Sequence, residues 1–240
     1  MEKLIYALWA RDGEERAALN ERLLQSMDRL LAMPNVRGVR LNLQDAHVAP
    51  AEGLRLRCAP TRQPDAAAQL WLDVAHDAFR APVDTMLREA SGQIAAWSVL
   101  ESTIIANTSH PPEPGSRTHG WSQLCFLKRP DRLVRASWRH DWQALHTRVA
   151  IEAQANFEYV QNLVVHPLIE GPQPYEGIVE ECFPPEAMDD PNAFFDAVGD
   201  PARFAANTAA MAESCARFID AGCVDLLPTS QYVFREPAES

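Results

Sequence analysis

The chain has 240 residues, 47% hydrophobic and 23% charged, enough apolar material for one large core or two smaller ones and too much for a disordered chain. Its 33 acidic and 22 basic residues leave a formal net charge of -11, and with no basic patch in the sequence such a surface repels phosphate backbones and anionic membranes. The longest apolar run, Leu4 to Ala10, falls well short of the roughly 18 residues of a membrane span, and the 10 glycines and 18 prolines follow no collagen-like period.

That apolar run is followed by Arg11, Asp12, Glu14 and Glu15 where a secretory leader would have a small-residue cleavage site. The five cysteines (Cys58, Cys125, Cys182, Cys215 and Cys223) are widely spaced and form no C-x-x-C pair, the usage of reduced core thiols and not of a disulfide framework or zinc knuckle, with a Cys215–Cys223 pair as the one exception left open. A cytoplasmic protein without metal, nucleic-acid or membrane partner is the expectation.

In chain order, Lys3–Trp9 reads as a strand, Gly13–Ala32 as a helix, Val36–Leu43 and Ala68–Val74 as strands, Val83–Gly92 as a helix and Trp97–Ala106 as a strand. The Pro-rich stretch NTSHPPEPGSRTHG, Asn107 to Gly120, interrupts the periodicity. Beyond it come a strand over Trp121–Lys128, a helix over Asp131–Gln154, strands over Phe157–His166 and Tyr175–Phe183, helices over Asn192–Val198 and Ala202–Phe218, and a strand over Val224–Phe234. The order β-α-β-β-α-β occurs twice. The expected fold is therefore α+β: two tandem ferredoxin-like units, residues 1–108 and 121–240 joined by a linker over 109–120, packed sheet to sheet as a sandwich or barrel. A weak repeat spacing of about 120 positions, as between Leu4 and Leu124, accompanies the shared order.

At 100° per residue, Trp138, Trp142, Leu145 and Val149 fall on a narrow stripe that should lie on the sheet, as should Leu19, Leu23, Met27 and Leu30 of the first helix. His146 lies about 80° from Trp138, at the flank of the stripe, whereas His140 lies about 200° away on the solvent side. A histidine at the edge of an apolar crevice suits general acid or base work, against the plainer role of bonding a carbonyl near a helix end. In the next strand, Val160, Asn162 and Val164 align at an offset of 121 with Val39, Leu41 and Leu43, which makes Asn162 a lone polar residue in a helix-facing apolar row. A buried amide needs a partner, so Asn162 and His146 are expected to share one pocket. Glu180 and Glu181 point to opposite faces of their strand. One should be buried, and the pattern leaves open which. No nucleotide-binding glycine motif, H-E-x-x-H or G-x-S-x-G is present; His146 beside Trp142 is compatible with a haem ligand, but no feature favours it.

Three segments, Phe126-Leu127-Lys128-Arg129-Pro130, Ser137-Trp138-Arg139-His140-Asp141-Trp142 and His146-Thr147-Arg148-Val149-Ala150, together with Tyr159-Val160-Gln161-Asn162 and Ile178-Val179-Glu180-Glu181, resemble the EthD family of dimeric α+β barrel proteins. The resemblance covers roughly Trp121 to Phe234; the first half matches only in element order. It implies a ferredoxin-like fold with a cavity between the first helix and the sheet, in a superfamily that includes muconolactone isomerases and polyketide cyclases beside haem-binding and accessory members. Its clearest carry-over is His146.

Two functional readings follow. One is a cofactor-independent lyase or isomerase, such as a dehydratase or cyclase, acting on a small hydrophobic or aromatic metabolite: His146 moves the proton, Asn162 orients a substrate oxygen, Trp142 shapes the apolar wall, and Glu180 or Glu181 biases the histidine. The other is a binding or accessory protein that uses the same pocket without chemistry. Either accommodates a monomer or a homodimer.

Overall fold

The computed structural model describes residues 1–58 and 60–237. The first half runs β1 (Glu2–Trp9), α1 (Arg16–Gln25), α2 (Met27–Leu31), β2 (Val36–Leu43), β3 (Ala66–Leu72), α3 (Asp77–Ala90) and β4 (Gln93–Ile105). A two-residue strand β5 (Ser116–Arg117) precedes the second half: β6 (Trp121–Leu127), α4 (Arg135–Arg139), a π-helical stretch His140–His146, α5 (Thr147–Ala153), β7 (Glu158–Ile169), β8 (Gly177–Phe183), α6 (Pro191–Phe194), α7 (Pro201–Phe218) and β9 (Val224–Arg235).

The strand order is β2-β3-β1-β4-β7-β8-β6-β9, and β9 pairs back onto β2. Every pairing is antiparallel. The order within the first four, 2-3-1-4, is that of the last four. Two long strands close the ring. β4 pairs with β1 through its first part and with β7 through its second, and β9 pairs with β6 up to Thr229 and with β2 from Ser230 onward. The halves thus meet edge to edge through hydrogen bonds in a closed eight-stranded α+β barrel, which leaves none of the eight with a free edge to template aggregation.

Helices cover the outside of the barrel and side chains fill the inside, so both faces of a strand are buried. This explains the unbroken apolar run at β1 (Leu4 to Trp9) and the run at β3 (Ala66 to Leu72) broken only by Gln69, where a one-sided sheet would alternate. In the first half Leu19, Leu23, Met27 and Leu30 pack on Leu4, Tyr6, Leu41 and Leu70 in one continuous core. The helix expected over 13–32 is divided near Ser26, whose hydroxyl donates back to the Arg22 carbonyl at 2.7 Å, yet its stripe still lies on the sheet.

The barrel interior is apolar at one end and polar at the other. Ile5, Ala7, Trp97, Leu124, Phe126, Ile178 and Leu227 form the apolar part. In the polar part, Arg40 of β2 donates to Glu158 of β7 at 2.6 Å and lies 3.9 Å from Glu180 of β8. Asn42 and Gln69 also donate to Glu180, at 2.5 and 2.7 Å.

Candidate functional site: a helix-covered cavity in the second half

The helix covering the second half is α-helical at both ends and π-helical between His140 and His146. A π turn bonds residue i to i+5 and so rotates everything after it relative to an α-helix. Trp138 and Trp142, before or within the turn, are fully buried, with rings 5.0 Å apart. After it the buried positions are Thr147, Ala150 and Ala153, while Leu145 and Val149 are only half-buried. The expected stripe therefore holds at its tryptophans and slips beyond them. The tryptophans sit over Gly177, where a Cβ would come within 2.7 Å of the Trp142 ring and 3.1 Å of Trp138.

Between this helix, α7 and the outer face of β6 and β8 lies a cavity of about 260 Å³. Its walls are apolar: Trp142, Val179, Met211, Cys215, Phe218 and Leu226. Leu56, from the first half, joins the lining through a bridge to Leu226 of β9. The corresponding space in the first half is filled by Leu19, Leu23 and Met27.

An imidazole and a carboxyl face this cavity from opposite walls, His146 from the helix and Glu181 from the sheet, beside the thiols of Cys125 and Cys215 and the phenol of Tyr159. His146 Nδ1 lies 3.0 Å from the Ser214 hydroxyl of α7, and its ring packs on Phe218 at 4.7 Å. Burial lowers its pKa to about 4, because an imidazolium there would lose its hydration without gaining a counter-charge. The imidazole is therefore neutral at ordinary pH. Glu181 moves the other way. Burial raises its pKa to about 7 despite hydrogen bonds from the Asn156 and Gln123 amides, each at 3.0 Å. Burial, helped by the charge of Glu181, raises the pKa of Cys215 to about 11.

Glu180, the adjacent residue, points into the barrel. Burial alone would raise its pKa, but the charge of Arg40, the hydrogen bonds from Asn42 and Gln69 and the charge of Lys3 outweigh it and leave the pKa lowered. It does not line the cavity.

Asn162 departs from expectation. It is fully buried, but on the barrel side, in the row Glu158, Val160, Asn162, Val164; Glu158 meets Arg40, and Val164 belongs to the apolar interior. Its amide donates to the Ile178 carbonyl at 3.2 Å and its oxygen has no partner among the described residues. The helix-facing row of β7 is Tyr159, Gln161 and Leu163, which aligns with Val39, Leu41 and Leu43 at an offset of 120, not 121. A slip of one residue moves a whole strand face to the other side. His146 and Asn162 therefore do not share a pocket, and Asn162 matches Asn42 across the two halves, both facing the interior. Leu4 and Leu124 likewise lie on opposite faces.

Three polar residues around the cavity escape a reading of helix and strand periodicity alone. Gln123 carried a signal, since it alternates with Cys125 and Leu127 on the helix-facing side of β6. Gln161, which donates to Thr147 at 2.8 Å and to Tyr159 at 2.7 Å, was hidden by the register slip. Ser214, on a small-residue stretch of α7, gave none.

A closed ferredoxin-like α+β barrel with a helix-covered apolar cavity defines the class of protein. More narrowly, the EthD domain model matches residues 130–222, within the second half of the chain. Among solved structures, an anthrone oxidase-like protein aligns with a TM-score of 0.56 at 10% identity, covering 100% of this chain and 95% of its own. A dye-decolorizing peroxidase from Bacteroides thetaiotaomicron aligns with a TM-score of 0.49 at 9% identity, covering 96% and 93%. At 10% identity the first of these likenesses is one of fold alone. No curated protein matches the sequence. Among the described residues no helix is long and apolar enough to cross a membrane.

Proposed function

We propose that the cavity binds a small, uncharged hydrophobic or aromatic metabolite and moves a proton on it without a cofactor, as a lyase or isomerase does. The observation that carries this reading is the pair His146 and Glu181: two groups with inverted protonation behaviour facing one apolar space. A carboxyl poised near neutral pH exchanges a proton with least bias, so Glu181 takes the proton-transfer role that the sequence assigned to His146. His146 remains neutral. In the tautomer whose Nδ1 accepts from Ser214, its Nε2–H serves as the donor to a ligand oxygen, the task once expected of Asn162. In an isomerisation, the Glu181 carboxylate accepts a proton from a carbon next to the ligand carbonyl and the resulting carboxylic acid returns it elsewhere on the same molecule, leaving the enzyme unchanged. Trp142 supplies the apolar wall.

A desolvated carboxylate in the cavity repels anions. The test is the quenching of tryptophan fluorescence by 1-naphthol and by 1-naphthoate at pH 8. We expect the neutral probe to bind at least tenfold more tightly, and Glu181→Gln to shrink the difference. Equal binding of the two, or none by either, overturns the reading. A non-catalytic binding or accessory role is the outcome if proton exchange on bound ketone ligands, followed by deuterium uptake, is unchanged in Glu181→Gln.

A further inference from the structure

Next to the cavity just described lies a second one of about 240 Å³, lined by Leu54, Ala187, Met188, Asp189, Pro191 and Phe195. The two have three lining residues in common, Gln123, Phe194 and Leu226, which form the wall between them. Leu226 is held by the strand pairing of β9 and by its bridge to Leu56. Phe194 belongs to the four-residue helix α6 and stacks on Phe183 at 4.6 Å.

Gln123 is the one polar side chain common to both cavities and is more than nine-tenths buried. Its amide nitrogen is committed to Glu181 at 3.0 Å, while its oxygen accepts no hydrogen bond from any described residue. That oxygen is left free to accept a hydrogen bond from a ligand hydroxyl reaching the wall. Among the described residues, Asp189 is the only charged one lining the second cavity. Together with Glu181 it disfavours an anion at either end.

From this geometry we infer that the two cavities are chambers of one elongated site, divided by Phe194, whose ligand is an uncharged molecule of two or more linked rings that threads past the wall and hydrogen-bonds Gln123. This rests on the cavity beside His146 being a ligand site, and specifies the length and charge of what enters it. A single ring occupies the first chamber alone. A longer ligand requires the Phe194 ring to turn aside, so its affinity responds to groups that a one-ring ligand never meets.

The experiment uses the full chain and three probes with the same phenolic head: phenol, 4-phenylphenol and 4-(4-phenylphenyl)phenol, with binding followed by calorimetry. Phe194→Ala should tighten binding of the three-ring probe at least tenfold and leave phenol within twofold. Met188→Trp, which fills the second chamber, should weaken the three-ring probe at least tenfold, again sparing phenol. Leu54→Trp fills the same chamber from another element and decides the matter should Met188→Trp fail to fold. An equal response of all three probes to these changes, or none, overturns the two-chamber site while leaving the first cavity in place. If Met211→Trp, in the first chamber only, leaves phenol binding unaltered, the reading of the first cavity falls, and this inference with it.

Discussion

Glu180 and Glu181 are joined by one peptide bond, both nearly inaccessible to water, and the fold treats them in opposite ways. Inside the barrel Glu180 meets Arg40, Asn42, Gln69 and Ser122, and its charge is matched. Outside it, Glu181 meets two neutral amides and an apolar cavity, and its charge is penalised. Burial does not by itself set the protonation of a carboxyl; what decides is whether the buried face brings a cation. The interior face has the chemistry of a structural lock between the halves, with Arg40 and Asn42 from the first and Glu158 and Glu180 from the second. The cavity face keeps a proton available.

The largest effect expected from breaking this contrast is on the interior side. Arg40→Ala leaves Glu158 and Glu180 buried without the cation they share and should cost about 3–5 kcal/mol of stability, the usual penalty for uncovering a buried charge. Adding Glu158→Gln to that variant should recover part of the loss. Urea denaturation at pH 7 measures both, and a cost under about 1 kcal/mol for Arg40→Ala would show that the network is not a lock.

Glu181→Gln comes next and acts through pH. A carboxyl whose pKa rises from the ordinary 4.5 to about 7 on folding stabilises the fold by about 3 kcal/mol at pH values below 4.5. Because the folded state binds the extra proton, that contribution is lost as pH rises from 4.5 through 7. The wild type minus Glu181→Gln stability difference should therefore decline across this window and be flat above about pH 8. His146, lowered to about 4 by burial, has the opposite sense: its neutral form is favoured by the fold, so stability falls as pH drops from 6.5 through 4. Taking the difference between the two variants cancels that second slope.

The architecture was legible because it rests on apolar periodicity, which β2, with its predicted ends, and the stripe Leu19, Leu23, Met27, Leu30 carry plainly. The site was legible in part. Trp142 and His146 stand out on a helical wheel, and the two glutamates on a period of two. What failed was phase. Two-fold alternation fixes the spacing of a strand's faces but not which face meets the helix, and in β7 both faces hold a buried amide, Gln161 outward and Asn162 inward. The π turn is also invisible to a 100° wheel. Nor does the wheel show the packing of two indole rings over Gly177, a contact between positions far apart in the chain.

That contact gives a smaller test. Gly177→Ala places a methyl group within 2.7 Å of the Trp142 ring. Strand backbone and buried indole both resist displacement, so a loss of about 1–3 kcal/mol is expected, the range of an overpacked core. Phenol binding should weaken too, since Trp142 also lines the cavity. A stability loss without any change in binding would separate the tryptophan pair from the site.

The smallest expected effect concerns the partner of His146. The interior carboxylate Glu180 has several polar partners, so removing one leaves it held; His146 Nδ1 has Ser214 alone among the described residues. Ser214→Ala should cost only about 1 kcal/mol, the net worth of one ordinary hydrogen bond. Its effect on the ring should be out of proportion to that. With the hydroxyl gone nothing selects between the two neutral tautomers, and nitrogen NMR of labelled histidine should show His146 passing from a single protonated Nε2 to a mixture. If the tautomer stays unchanged, the donor facing the cavity is fixed by something other than Ser214, and the ligand oxygen assigned to Nε2–H needs a different anchor.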